Sequence, residues 1–412
     1  MGMTIVEKIL ANHSITPKET VKPGDIVEVR VDAAYMLGVE HEYLKVWDPD
    51  RIMIIASDHN LPPRTKEETA TAERSRKFAK KWGIKYWVDV GRGGNGHRVS
   101  CELGLHRPGE ISLCNDSHTT MGGAFNSLGM GIGDAELANV ITKGETWFIC
   151  QPTVKIEVVG KLPRRVYARD ILLHLGGACP PFIERNVEYA GPVVDAMTVE
   201  DRMCMACAST EISCDIPVFS ADAKTIDWIQ KSSTLSGDHK PVEADKDAKY
   251  DKTITLDVSN LEPQVACPHT MANVKPVSEV AKQKVKINQA NVSSCDNSGL
   301  VDIAVAAEIL KGEKIHPEVR LIVVPGTQKI WLEAVRLGYA QTIVDANGLF
   351  CVASCGPCSG GQQSLSPGDV GIGSNTRNFK GRMGLDATCY CSSPATAATS
   401  ALYGYITDPR EV

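Results

Sequence analysis

Short apolar runs alternate with stretches of helical periodicity along most of this chain. The apolar run Ile52–Ile55 is followed by a helical pattern at about 65–82, and a second apolar run covers 85–90. Another apolar run at 321–324 ends at a Pro-Gly pair, after which Thr327 can cap a further helix. Strands that alternate with helices in this way predict an α/β fold with largely parallel sheets.

The same pattern restarts at two places, which suggests boundaries between domains. A new strand begins near residue 154, and another near residue 285. A chain of 412 residues is also longer than one hydrophobic core usually accommodates. We therefore expect three α/β/α domains, at about residues 1–150, 151–275 and 276–412.

Composition narrows the class of protein. Apolar residues make up 43% of the chain and charged residues 23%, and the net charge of −6 favours neither nucleic acid nor anionic membranes as partners. The N-terminal residues lack a signal-peptide core, and no apolar run is long enough to cross a membrane. We therefore expect a cytoplasmic protein, whose fourteen cysteines are buried thiols or metal ligands rather than disulfides.

Three cysteines in the last third of the chain are candidate metal ligands. Cys295 follows a predicted strand and lies 60 residues before Cys355, which forms a CxxC pair with Cys358 in a tight Gly-Pro turn. Three thiolates can hold a cubane iron–sulfur cluster by three of its four irons, because such clusters normally take four cysteines. The open iron can then polarise a substrate oxygen. Structural zinc is the alternative, with His269 or Cys351 as fourth ligand.

Two further motifs are interpreted as unrelated to this site. A second CxxC pair, Cys204 and Cys207, lies beside methionines in a helical pattern, which indicates core packing. A thioredoxin-type redox pair stays open for either CxxC, although neither opens a helix directly after a strand. The run at 91–96 matches GxGxxG, but little room follows for the long helix that a dinucleotide site requires.

Acid and base candidates lie at the ends of predicted strands in the first domain. Asp58 and His59 follow one strand, His97 follows a glycine turn after another, and Asp116 and His118 follow a third. A carboxylate bonded to one imidazole nitrogen fixes the tautomer and raises the basicity of the ring, which suits proton delivery to a leaving hydroxyl. Each histidine alone would more often be structural, so the inference depends on their shared placement.

Two arginines, Arg377 and Arg382, follow the second cysteine motif closely. Guanidinium groups bind carboxylates in a bidentate manner. An iron–sulfur cluster beside such groups predicts an enzyme that acts on a small hydroxy-dicarboxylic acid.

Together these motifs resemble the aconitase superfamily, and most closely the large subunit of the isopropylmalate and homoaconitate dehydratases. The similarity covers nearly the whole chain. Besides the cysteine and arginine motifs, its most specific marks are four short runs, Asp116-Ser117-His118-Thr119, Gly131-Ile132-Gly133, Val187-Glu188-Tyr189 and Asp201-Arg202-Met203.

The resemblance implies an aconitase-like arrangement of the domains around a central iron–sulfur site. It implies that a [4Fe–4S] cluster is bound by Cys295, Cys355 and Cys358. One set of side chains is implied to form the acid/base network: Asp58, His59, His97, Asp116, His118 and Glu188. A second set is implied to bind the substrate: Ser117, Arg377 and Arg382.

The implied activity is the reversible dehydration of a substituted malate, such as 3-isopropylmalate or dimethylmalate. Homoaconitate, citrate/isocitrate and maleate/D-malate chemistry stay open, as do a cluster-free RNA-binding relative and a zinc protein. The catalytic serine of the family lies on a swivelling fourth domain, and no segment resembling that domain follows Val412. The resemblance therefore implies a separate small subunit that completes the site in a heterodimer or heterotetramer.

The chain departs from the family pattern in three places. The usual Ser-Cys-Thr-Asn is Ser-Cys-Asp-Asn here, so that Asp296 follows a cluster ligand. Thr376 stands where the family usually has asparagine, directly before Arg377. The segment after Asp32 is short and carries Tyr35. We expect the added carboxylate and the lost amide to change which substrate the pocket accepts.

Overall fold

The computed structural model describes residues 2–39, 44–56, 58–233 and 239–412. Its first part contains α1 (Ile5–His13), β1 (Ile26–Arg30), β2 (Ala33–Leu37), β3 (Ile52–Ile55), α2 (Lys66–Trp82), β4 (Tyr86–Val88), α3 (Gly96–Leu103), β5 (Ile111–Cys114), a 3₁₀ segment (Ser117–Phe125), β6 (Leu128–Gly131), α4 (Asp134–Lys143) and β7 (Glu145–Ile149). Within the described ranges, β4-β3-β2-β5-β6 form a five-stranded parallel sheet, and β1 pairs with β7 antiparallel. The residues of β3 and β5 are buried throughout, as expected of a parallel sheet covered on both faces.

The second part is a smaller parallel unit. It contains β8 (Thr153–Val159), α5 (Ala168–Ala178), β9 (Asn186–Ala190), α6 (Pro192–Ala196), α7 (Val199–Ala208), a 3₁₀ segment (Ser209–Ile212), β10 (Pro217–Phe219), α8 (Ala223–Ser232) and β11 (Lys252–Asp257). Among the residues described, its sheet has four parallel strands in the order β10-β9-β8-β11. Its core is built from apolar side chains of these strands and of α5 and α7.

The third part carries the largest sheet. It contains β12 (Gln264–Ala266), β13 (Val274–Pro276), α9 (Val277–Ala281), β14 (Gln289–Val292), α10 (Leu300–Leu310), β15 (Arg320–Val323), α11 (Gln328–Arg336), α12 (Tyr339–Asp345), β16 (Leu349–Phe350), a 3₁₀ turn (Gly356–Ser359), β17 (Val370–Gly373), β18 (Thr388–Ser392), α13 (Pro394–Tyr403) and a 3₁₀ segment (Pro409–Glu411). In the described chain this sheet has seven strands in the order β13-β12-β18-β17-β14-β15-β16, and only the β12 pairings are antiparallel.

The α/β class with largely parallel sheets is therefore confirmed. The predicted helix cap is also present, because the Thr327 side chain accepts a hydrogen bond from the Ile330 amide at the start of α11.

The expected domain boundary at residue 275 does not coincide with the edge of the third sheet. Strand β12 precedes this boundary and β13 spans it, and yet both belong to the third sheet, so a division by sheet would place them with the last unit. The division into three domains itself stays a prediction.

The topology brings the chemically active residues to one place. Ligand sites in parallel sheets form beyond the carboxyl ends of the strands. Asp58 follows β3, Asp116 follows β5, Cys295 follows β14 and Arg377 follows β17. The backbone amide of Cys355 also donates to the Asp58 carbonyl oxygen at 3.5 Å, which joins the strand ends of the first and third parts.

No helix among the described residues is both long enough and apolar enough to cross a membrane.

Candidate active site

The three candidate ligand cysteines lie buried on two loops. Cys295, Cys355 and Cys358 are only 1–4% exposed. Cys295 follows β14 directly after Ser294, which has a φ of 86° and therefore turns the loop sharply. The other two flank a turn that begins at Gly356, whose φ of 71° needs a residue without a Cβ. A Cβ there would also lie 2.9 Å from the Val324 side chain.

Hydrogen-bond donors point at the sulfurs of this group. The side-chain amide of Asn95 donates to Cys295 Sγ at 3.3 Å. The backbone N–H and the hydroxyl of Thr376 lie 3.5 and 3.2 Å from Cys358 Sγ. The pKa of Cys295 is held well below its usual range, chiefly by hydrogen bonds from the Cys207 and Cys355 thiols and by nearby His118. One buried thiol that is stabilised as a thiolate and two more beside it, with amide and hydroxyl donors around them, fit an iron–sulfur cluster.

Cys351 and His269, the two candidates for the fourth ligand of a structural zinc site, do not join the three cysteines. Cys351 Sγ contacts the Gln363 side chain instead, and His269 lines the same cavity as Arg377 and Arg382. Among the described residues, two groups of possible ligands each have their ligand atoms within 4.8 Å of one another; each group contains one of the three cysteines, and neither contains Cys358, Cys351 or His269. One group is His97, His118 and Cys295, and the other is Asp58, His59 and Cys355.

Histidines and carboxylates form a continuous network of contacts beside the cysteines. The Asp116 carboxylate lies 3.0 Å from His97 Nε2 and 3.4 Å from His118 Nδ1. The other nitrogen of His118 lies 2.9 Å from Glu211 Oε1, and the other nitrogen of His97 lies 2.7 Å from the Tyr35 hydroxyl. Both nitrogens of both rings are therefore occupied, which fixes the orientation of each imidazole.

Electrostatic interactions favour the charged forms of the histidines and carboxylates in this network. Burial alone would lower the pKa of His97, but the Asp116 carboxylate overrides it and raises the pKa. Burial likewise opposes the shift at His118, yet Cys295, Asp116 and Glu211 raise its pKa well above the usual range. Burial would raise the pKa of Asp116, but the imidazoles of His97 and His118 hold it well below normal. These histidine–carboxylate contacts are therefore buried ion pairs rather than neutral hydrogen bonds.

Asp58 and His59 form a separate pair beside Cys355. Asp58 Oδ1 lies 3.2 Å from His59 Nδ1, and Asp58 Oδ2 accepts the Gly96 amide at 2.7 Å. The carboxylate is buried, whereas the imidazole is 40% exposed. Within the described residues His59 Nε2 has no hydrogen-bond partner, which distinguishes this ring from His97 and His118. His59 can therefore exchange a proton with a molecule in the site.

Two of the three candidate substrate-binding residues, Arg377 and Arg382, line an open cavity of about 440 Å³, whereas Ser117 is not among its lining residues. Arg377 Nε lies 2.8 Å from Glu211 Oε1, and its Nη2 donates to the Ser117 hydroxyl at 2.7 Å. Arg382 donates from Nε to the Cys358 carbonyl at 2.7 Å and lies 5.7 Å over the Phe379 ring. Both arginines line the cavity, and the Glu211–His118 contact links the cavity to the cysteines.

Glu188 is the one candidate that the structure places elsewhere. It lies on β9, where its carboxylate accepts from the Tyr250 hydroxyl at 2.6 Å and the Ile5 amide at 3.4 Å. These partners tie it to α1 and to the second sheet, so its expected place in the acid/base network has to be corrected. The carboxylate that completes the network is Glu211, which sequence reasoning missed. A signal was present, because Glu211 is the only charged residue between Met203 and Cys214.

The second CxxC pair packs as expected but lies closer to the site than expected. Cys204 and Cys207 are buried on α7 within the core of the second part. Cys204 Sγ contacts Asn297 Oδ1 at 3.7 Å, and the Cys207 thiol is close enough to Cys295 to lower the pKa of that residue. The glycine run at 91–96 leads into α3, a helix of eight residues.

The family model and the curated relatives point to the same family. The family model "Aconitase family (aconitate hydratase)" matches residues 39–404. The 3-isopropylmalate dehydratase large subunit of Mycolicibacterium smegmatis is 40% identical over 420 residues, which cover 100% of this chain and 98% of that protein. The 3-isopropylmalate dehydratase large subunit 1 of Methanopyrus kandleri is 38% identical over 428 residues, covering 100% and 99%. A solved structure of Thermococcus kodakaraensis aconitase X (holo-form) aligns with a TM-score of 0.49 and 14% identity, over 85% of this chain and 84% of that one.

Proposed function

The chain belongs to the aconitase family, and from that premise we propose that it is the catalytic large subunit of an iron–sulfur hydro-lyase. The substrate is a substituted malate of the 3-isopropylmalate or dimethylmalate type, which the enzyme reversibly dehydrates to an unsaturated diacid. One observation supports the proposal most strongly. Three buried thiols lie beside a network of imidazole, carboxylate and guanidinium groups, and this network ends at an open cavity.

The cofactor implied by the family is an iron–sulfur cluster, and we assign it as a [4Fe–4S] cluster bound by Cys295, Cys355 and Cys358. When bound, such a cluster supplies a Lewis-acidic iron with a vacant position. The low pKa of the Cys295 thiol and the donors Asn95 and Thr376 support thiolate ligands at this place.

His59 is the proton donor to the leaving hydroxyl in this proposal. Of the candidate histidines in the acid/base network, the contacts favour His59 over His97. Both nitrogens of His97 are engaged by Tyr35 and Asp116, whereas only Nδ1 of His59 is engaged, by Asp58. A general acid must reach the reacting atom with a free N–H, and Asp58, whose Oδ1 lies 3.2 Å from Nδ1 of His59, orients the ring so that Nε2 can provide it.

Arg377, Arg382 and Ser117 bind and orient the substrate carboxylates. Glu211 and Ser117 hold the Arg377 guanidinium from one side, while its side chain stays 29% exposed and lines the cavity. A guanidinium fixed in this way loses little freedom when it binds a carboxylate, which gives both affinity and orientation. The same positive charge stabilises the negative charge that develops on the carboxylate as the neighbouring C–H proton leaves.

The base that removes that proton is assigned to a small subunit. The relatives reported above are named as large subunits, and the carboxylates Asp58, Asp116 and Glu211 are all engaged in ion pairs within this chain. We propose a heterodimer or heterotetramer in which the small subunit closes the cavity. A cytoplasmic location is consistent with fourteen cysteines that are all free thiols.

The test is an assay of the anaerobically reconstituted chain together with its small subunit. A panel of unsaturated diacids with different side groups is offered, and hydration is followed as loss of absorbance of the conjugated double bond. We expect turnover of an alkyl-substituted diacid, and a fall of about 10²- to 10⁴-fold in His59→Gln. His13→Gln is the matched control, because His13 is paired with Asp32 at 2.7 Å outside the site. A reconstituted complex that turns over no diacid would refute the proposal.

A further inference from the structure

Asp296 follows the ligand Cys295 directly, but its carboxylate faces away from the cavity. It is fully buried, and it does not line the cavity that Arg377 borders. Its two oxygens contact the Arg169 guanidinium and the Ser294 hydroxyl. The expectation that this added carboxylate alters the substrate pocket therefore has no support in the contacts. The carboxylate acts on the loop that carries Cys295.

Arg169 connects that loop to a second one. It lies on α5 and is fully buried, and its other terminal nitrogen donates to the Asn375 carbonyl at 2.5 Å. The next residue, Thr376, contacts the Cys358 sulfur through both its N–H and its hydroxyl. One guanidinium therefore joins the loop of Cys295 to the loop that contacts Cys358.

Hydrogen bonds between the two loops run parallel to this link. The Ser294 hydroxyl lies 2.6 Å from the Ser374 carbonyl, and the Ser293 amide donates to the Ser374 hydroxyl at 3.0 Å. The backbone of the first loop is also held separately, because Arg98 donates to the carbonyls of Cys295 and Asp296 at 2.7 and 3.0 Å. Loss of Arg169 would therefore leave the first loop anchored and remove the charged link between the loops.

We propose that the Arg169–Asp296 ion pair positions two of the ligand sulfurs for the cluster, and that Asp296 and Thr376 serve cluster retention rather than substrate choice. This inference rests on the proposed iron–sulfur function. A planar guanidinium suits the task, because its fork binds a carboxylate and a carbonyl at fixed directions. Groups that orient metal ligands in this way usually change metal retention strongly when they are removed.

The test measures cluster retention and substrate binding on the same variants. Asp296→Thr restores the residue usual in the family pattern and leaves Arg169 unpaired. Arg169→Met combined with Asp296→Leu removes both charges, and replacement of a buried ion pair by apolar side chains often preserves stability. After anaerobic reconstitution, decay of the visible absorbance is followed in excess iron chelator. We expect both variants to lose iron about 10- to 100-fold faster than the unmodified chain, with the substrate KM unchanged. Asp296→Asn, which keeps an acceptor for Arg169, should lie between them and the unmodified chain.

Arg202→Met is the matched control. Arg202 is 2% exposed and pairs with Asp222 at 2.5 Å, and its other contacts are with Thr225 and Val194. It should lower the unfolding temperature without accelerating iron loss. Equal cluster lifetimes in all variants, a shifted KM with an unchanged lifetime, or equally fast iron loss in Arg202→Met would each overturn the inference. Failure of the unmodified chain to bind iron would instead refute the proposed function.

Discussion

The chain contains two CxxC pairs, and the regions that carry them differ in backbone rather than in spacing. In the helix region, residues 199–212, Cys204 and Cys207 lie on α7, which opens with a capping box between Thr198 and Asp201. In the turn region, residues 355–382, Cys355 and Cys358 lie in a 3₁₀ turn that ends at Gly360 with a φ of 72°. Both pairs are buried.

The comparison shows that spacing alone does not identify a ligand pair. Helical geometry places cysteines three apart on one face, where they pack into the core of the second part. In the turn region, by contrast, Thr376 contacts the Cys358 sulfur and Arg382 donates to the Cys358 carbonyl. The two regions nevertheless meet, because Arg377 of the turn region pairs with Glu211 of the helix region.

Exchange of one cysteine in each region should give the largest contrast. Cys358→Ser is expected to lose most of its iron and nearly all turnover, because one ligand of the cluster is gone. Cys204→Ser is expected to keep its iron and to lose about 1–3 kcal/mol of stability, the cost of a buried hydroxyl. Iron and sulfide analysis after reconstitution, with thermal unfolding of each variant, measures both effects. Loss of iron from Cys204→Ser would show that the helix region supplies a ligand.

A smaller effect is expected where the regions meet. Arg377→Lys keeps the positive charge but loses the fork that engages Glu211 and Ser117. We expect kcat/KM to fall roughly 10- to 100-fold, the equivalent of one charge-assisted hydrogen bond. The visible spectrum and iron content should stay as they are, because Arg377 contacts no ligand sulfur in this structure. Unchanged kinetics would remove Arg377 from the site.

The smallest expected effect is on the pH dependence of stability. Burial would raise the pKa of Glu211, but His118 and Arg377 lower it below its usual 4.5. The folded pKa thus lies below the unfolded one, so the contribution is fully present above about pH 4.5 and is lost as the pH falls through the folded value. Glu211→Gln should therefore lose less stability than the unmodified chain on acidification.

Urea unfolding of the cluster-free chain between neutral and acidic pH measures this difference. Glu157→Gln serves as the control, because Glu157 is an exposed carboxylate on β8 that is paired only with Lys155. Its pH dependence should follow that of the unmodified chain. Parallel curves for Glu211→Gln and the unmodified chain would show that the carboxylate adds nothing to the contact between the two regions.

Residues at strand ends were the part of the site that sequence could locate. Parallel strands place their carboxyl ends at one edge, so Asp58, Asp116 and Cys295 converge because each follows a buried strand. The α/β fold follows from the same alternation. Family membership, expected from the motifs, is confirmed by the comparisons.

Contacts between distant parts of the chain could not be located in this way. Glu211 meets Arg377 across 166 residues, and no periodicity reports which faces of two separate units meet. Tyr35 lies on a strand that is buried along its length, where a single tyrosine is indistinguishable from core packing until its hydroxyl is seen against His97. Glu188 was misplaced because it lies in a motif of the family, whereas its strand directs the carboxylate toward α1.

The central claim is that three thiolates hold a cluster and leave one iron open to substrate. The most direct measurement is the ⁵⁷Fe Mössbauer spectrum of the reconstituted chain with its small subunit, recorded with and without substrate. We expect about four irons per chain, one of which changes its isomer shift and quadrupole splitting when substrate is added. A spectrum that substrate leaves unchanged, or a chain that takes up zinc in place of iron, would contradict this claim.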